Sequence, residues 1–199
     1  MTKAYFENQI FTWLNNSEVR PSLDISRNLI NVAFHHLIRW HPQVSHEGFD
    51  TYKLSCIEKL RNWEISNRAI VAFTERLSQI NTPCRMKMLN DVFKELTHPE
   101  HNVSVNLKKT QLLNLANPNL ENVRSCLNND YKVILLSKEE SRVLNGKSTN
   151  QYMLDGQYQS GRGLSTKGSY TERLESIGAT IVDFQSKDDL IRHLTELSI

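Results

Sequence analysis

The 199-residue chain predicts an α+β fold, mainly α, with an N-terminal helical bundle followed by a small α/β unit of about two core strands. Three observations carry that reading. Apolar residues recur at three- and four-residue steps through residues 1–97, which is helical periodicity. Two compact apolar runs of strand length follow in the second half, each leading into a helix-opening signal. The composition, 39% hydrophobic and 23% charged, is that of a globular chain long enough to bury a core without disulfide or metal staples.

In the first half, Tyr5, Phe6, Ile10, Trp13 and Leu14 define the first helix, and Leu29, Ile30, Ala33, Phe34, Leu37 and Ile38 the second. A third carries Leu54, Ile57, Leu60 and Trp63, a fourth Ile70, Phe73 and Leu77, and a fifth Leu89, Val92, Phe93 and Leu96. Pro21-Ser22, Pro42, Ser45, Ser66 and Thr82-Pro83 punctuate them. Five such helices predict a bundle over 1–97.

Residues 98–199 read differently. Leu107 to Leu115 and Asn119 to Leu127 are expected as short helices, the second capped by Asn119. Tyr131 to Leu136 is an apolar run of strand length, and Ser137-Lys138-Glu139-Glu140 is a capping box opening a helix through Leu144. A helix from Ser169 to Gly178, a strand from Ala179 to Phe184 and a final helix capped by Ser186 repeat the pattern. Between them Asn145 to Gly168 is a polar loop, longer than a routine connection.

Charge and cysteine usage narrow the function classes. Net charge is +2, and residues 1–100 and 101–199 each carry 12 Lys/Arg against 11 Asp/Glu. With no basic tail, nucleic-acid binding would have to rest on a local patch. Cys56, Cys84 and Cys126 lack CxxC spacing and are odd in number, which points to neither a disulfide framework nor a zinc knuckle. No apolar run is long enough to span a membrane and no secretory leader pattern opens the chain. A cytoplasmic protein with no membrane partner is the expectation.

Four groups of residues bear on chemistry. Glu100-His101, at the junction of the two halves, pairs a carboxylate with an imidazole that can act as general base while the carboxylate holds a divalent cation. The string Glu100-His101-Asn102-Val103-Ser104, with Asn119 and Asn128 further on, resembles the HNH-type nucleases over residues 98–129. It departs from that pattern in having Ser104 where proline is common, no flanking cysteine pairs, and a helical reading over 106–116 where those nucleases have a β-hairpin. The resemblance implies a divergent, metal-dependent nuclease acting on DNA or RNA in a phage-defence or mobile-element setting. It assigns catalysis to His101 and Glu100, and Mg²⁺ to Glu100, Asn119 and Asn128.

The second group is His35, His36, His41 and His46 with Glu47. Imidazoles bind transition metals, yet adjacent helical residues point about 100° apart, and Pro42 interrupts the set. The same proline separates Arg39 from His46, whose spacing resembles the Arg/His pair of HEPN-type ribonucleases. The third is Ser160 to Gly168, where glycines, hydroxyls, Arg162 and Lys167 would suit a phosphate, with Tyr152 and Tyr158 available to stack on bases. The fourth is Lys108-Lys109 with Arg124, expected as phosphate contacts if they share a face with the others. No Gly-x-Ser-x-Gly elbow and no complete P-loop is present. Without an intact catalytic motif, the alternative is a non-catalytic module, an adaptor or inhibitor, that meets a protein partner.

Overall fold

The computed structural model describes residues 1–44, 54–80, 82–129, 131–144, 152–154, 157–159, 174–175 and 177–198. The helices are α1 (Lys3–Asn15), α2 (Leu29–Trp40), α3 (Cys56–Asn62), α4 (Asn67–Leu77), α5 (Met86–Leu96), α6 (Val105–Leu113), α7 (Leu120–Asn128), α8 (Lys138–Leu144) and α9 (Phe184–Leu197). The strands are β1 (Glu64–Ile65), β2 (Thr97–His101), β3 (Val133–Ser137), β4 (Tyr152–Leu154) and β5 (Gln157–Gln159). This is a mainly helical α+β protein with a small three-stranded sheet, order β1-β3-β2, and a separate β4-β5 hairpin.

The chain divides into two compact units, neither of them continuous in sequence. Unit 1 is Met1–Lys53 with Val103–Lys132, and unit 2 is Leu54–Asn102 with Val133–Ile199. That corrects the expected boundary at 97/98. The reason lies in β3, which pairs in parallel with β1 and antiparallel with β2, so helices α3 to α5 belong with the sheet rather than with α1 and α2.

Unit 1 is a four-helix arrangement of α1, α2, α6 and α7. Each helix begins on a side-chain cap: Thr2 accepts from the Tyr5 amide, Asn28 from Ile30, Ser104 from Leu107 and Asn119 from Asn122. Ile10, Leu14, Leu23, Phe34, Ile38, Leu112, Val123 and Leu127 form its fully buried core. Trp13 stacks on Phe34 with ring centroids 6.2 Å apart.

In unit 2 the middle strand β3 is buried along all five residues, as an apolar run covered on both faces must be. Pro99 is tolerated in β2 because that strand lies at an edge. Ser66 caps α4, and Ser55 with Glu58 closes a capping box on α3. The expected box on α8 forms as well: the Ser137 amide donates to Glu140 Oε2 at 2.8 Å, and the Glu140 amide to Ser137 Oγ at 3.1 Å. Ser66 Oγ donates to the same Glu140 oxygen at 2.5 Å, so one fully buried carboxylate joins the starts of α4 and α8.

The strand expected at Ala179 to Phe184 is reduced to a single bridge, Ile181 opposite Ser66. Val182 donates to the Ile65 carbonyl and Asn67 to that of Thr180, which holds this segment beside β1. It ends because Asp183, rather than Ser186, caps α9: its carboxylate accepts from both the amide and the hydroxyl of Ser186. Gly178, at φ +61°, supplies the left-handed turn before it. The β4-β5 hairpin falls within the stretch expected as a loop; the rest of 145–168 lies outside the described residues. Among the described residues no helix is long and apolar enough to cross a membrane.

Candidate functional site

Glu100 and His101 lie on β2, paired opposite Ile134 and Val133 of β3. Neighbours on a strand point to opposite faces, whereas residues two apart share one. The imidazole beside Glu100 is therefore that of His98, whose Nε2 stands 3.5 Å from Glu100 Oε1. The Ser141 hydroxyl, on the first turn of α8, donates to that same oxygen at 3.1 Å. His98 is half exposed and Glu100 largely covered. The carboxylate-imidazole pair is present with a different histidine from the one sequence adjacency indicates.

The remaining metal ligands expected from the HNH resemblance belong to unit 1. Asn119 Oδ1 is the α7 cap, and the Asn128 amide donates to Glu7 Oε1 and to the Arg124 carbonyl. After β2 the chain enters α6, so no β-hairpin precedes α7. Among the described residues no three His, Cys, Asp or Glu side chains are placed together around a cation. With Asn119 accepting from the Asn122 amide and Asn128 donating to Glu7 and Arg124, these side chains do not fit the ligand set expected for Mg²⁺.

Lys108 and Lys109 are not solvated phosphate contacts. Lys108 is 3% exposed, and its Nζ donates to the carbonyls of Cys126 and Asn129 at the end of α7 while lying 5.4 Å from the Tyr131 ring centroid. A cation there complements the helix C-terminus. Lys109, also buried, pairs with Asp24 at 2.7 Å. Both ammonium groups are taken up inside unit 1, which corrects the expectation. Arg162, Lys167, His46 and Glu47, and the rings of Tyr152 and Tyr158, lie outside the described residues and side chains.

The histidines of α2 and the turn after it have individual environments. His41 is fully buried, its Nε2 3.3 Å from Glu7 Oε1. Arg124 Nε donates to the other Glu7 oxygen at 2.9 Å. Burial pushes the Glu7 carboxyl up, but hydrogen bonds from Asn128, His41 and Arg124 outweigh it and hold the group below the ordinary carboxylate range. His35 is held below the usual imidazole value by burial, then by the charge of Lys109. Sequence reasoning missed Glu7; the available signal was its place on the α1 stripe with Ile10 and Leu14.

Unit 2 also contains an open groove of about 710 Å³ between α4, the 180–183 segment and α9. Its floor is apolar: Ile70, Val71, Ile181, Val182 and Leu190. Its polar edge carries Glu75, Asp183, Asp189 and His193, all exposed, and among the described residues no Lys or Arg lines it. None of the four edge residues stood out in the sequence, because carboxylates and a histidine on amphipathic helices read as solvated faces.

The class defined by this fold and these sites is a mainly helical α+β protein of two interleaved units. No family model matches the chain, and no characterised protein or solved structure matches it.

Proposed function

We propose that the chain is a protein-interaction module, an adaptor or inhibitor, that receives its partner on unit 2. The observation that carries this reading is the groove between α4 and α9, an apolar floor edged by carboxylates and open to solvent. Clefts that combine an apolar floor with a charged edge are the ordinary form of a recognition surface. The structural duties of Asn119, Asn128, Lys108 and Lys109 further weaken hydrolysis as the primary activity.

Site-specific photo-crosslinking tests it: a photoreactive residue replaces Val71 in the groove, or Leu29 on the exposed face of α2, in the full chain in cells. Discrete protein adducts at position 71, absent at position 29, are the expected result. The same adducts at both positions, or none, would remove the proposal.

A second reading, a nucleic-acid-associated hydrolase, is favoured by the His98–Glu100 pair and its Ser141 donor. Plasmid nicking that requires Mg²⁺, is abolished by EDTA and is lost in His98→Ala would establish it in place of the first. Nicking that survives both His98→Ala and His101→Ala would exclude either histidine as its base.

A further inference from the structure

The groove's occupant follows from the distribution of its charges and the shape of its walls. Along α4 the lining positions are Asn67, Ile70, Val71, Thr74 and Glu75, and along α9 Ser186, Asp189, Leu190 and His193. Both sets step by three and four residues, so each wall is one continuous helical stripe. A small-molecule pocket places a few convergent polar groups within an apolar cavity. Here the floor is aliphatic and the carboxylates stand at the edge, spread over both walls and the segment between them.

Among the described residues, no Lys or Arg of the lining offsets this edge. Asp183 accepts from the amide and hydroxyl of Ser186 and is further stabilised by the Gln185 amide, all neutral donors. Asp189 pairs with Arg192, but both are well exposed and Arg192 does not line the groove. Such a surface pair contributes little and is readily exchanged. Three carboxylates thus face a concave apolar channel whose lining, among the described residues, offers no Lys or Arg.

We infer that this groove binds an amphipathic helix of a protein partner, its aliphatic face against Ile70, Val71, Ile181 and Leu190 and its flanks carrying Lys or Arg toward Glu75, Asp183 and Asp189. The inference rests on the interaction-module reading and adds the partner's chemistry to it. Helix-in-groove recognition uses anchors at i, i+3, i+4 and i+7, and flanking basic residues supply the complementary potential that sets register and selects against acidic competitors.

The probe is a fluorescent synthetic helix of about 15 residues, long enough to populate helix in solution. Leu and Ile occupy one stripe, and Lys occupies the flanks in one version and Glu in the other. Binding to the full chain is followed by anisotropy. The Lys peptide is expected to bind at least about tenfold more tightly than the Glu peptide, with the difference shrinking as salt is raised. Val71→Arg, at an exposed position, should weaken the Lys peptide by about tenfold or more, while Val32→Arg on α2 leaves it unchanged.

Equal affinity of the two peptides, or binding untouched by Val71→Arg, would overturn the inference. So would the absence of peptide binding while position 71 still crosslinks a protein, an outcome that leaves the broader reading standing. Loss of crosslinking at position 71 removes that reading separately.

Discussion

The two units handle charge in opposite ways. Unit 1 turns ionic side chains inward: Glu7 with His41, Arg124 and Asn128, Lys108 on carbonyls, Lys109 on Asp24, and Arg20 on the carbonyls of Leu14, Leu113 and Leu115. Unit 2 buries the Glu140 carboxylate between two serines at the starts of two helices, and places Glu75, Asp183 and Asp189 at the rim of an aliphatic groove. A charge satisfied within the fold is less available to a ligand. On the interaction-module reading proposed above, recognition falls to unit 2, while the ionic contacts of unit 1 serve its fold.

Breaking the inward set should have the largest effect. Glu7→Ala leaves His41 and Arg124 without their carboxylate and should cost about 3–5 kcal/mol, read as a lower urea midpoint. The same carboxyl sets an acid limit. Its folded pKa lies below its ordinary value of 4.5, so its stabilisation is complete above about pH 4.5 and is lost as pH falls through the folded value. Glu7→Gln should flatten that limb of a stability–pH profile, and an unchanged slope would show that other carboxylates set it.

Lys108→Met keeps the aliphatic stem but leaves two carbonyls without their donor, for an expected loss of about 2 kcal/mol. It should leave any nucleic-acid affinity unchanged; a lowered affinity at constant stability would return Lys108 to the surface role expected from sequence. In unit 2, Ser66→Ala removes the α4 cap and one Glu140 donor, for about 1–2 kcal/mol by the same measurement. Smallest is Glu75→Gln at the groove edge, expected within about 0.5 kcal/mol on stability while weakening the Lys-flanked peptide. A large stability loss there would erase the distinction between the units.

Local structure was readable where a side chain acts on its own backbone neighbours. Asn119, Ser66 and the Ser137–Glu140 box cap the helices the sequence predicts, because capping needs only three or four residues of context. The interleaving was not readable. β1 has two residues, and β2, Thr-His-Pro-Glu-His, has no apolar alternation; it is a strand because β3 offers it a ladder. The site suffered for the same reason: a linker reading puts Glu100 beside His101, whereas a strand puts it beside His98. Likewise, nothing local marks Lys108 and Lys109 as buried, since their partners lie 18 to 85 residues away.

The chain passes between the units three times, after residues 53, 102 and 132. During synthesis, therefore, neither body can close early: the α1–α2 pair must wait for α6 and α7, and β1 and β2 have no central strand until residue 133 leaves the ribosome. Such long-range closure slows folding and keeps apolar faces open meanwhile. Cutting the gene at its midpoint would yield two fragments that each lack part of both cores, so a split version should regain structure only when the halves are produced together.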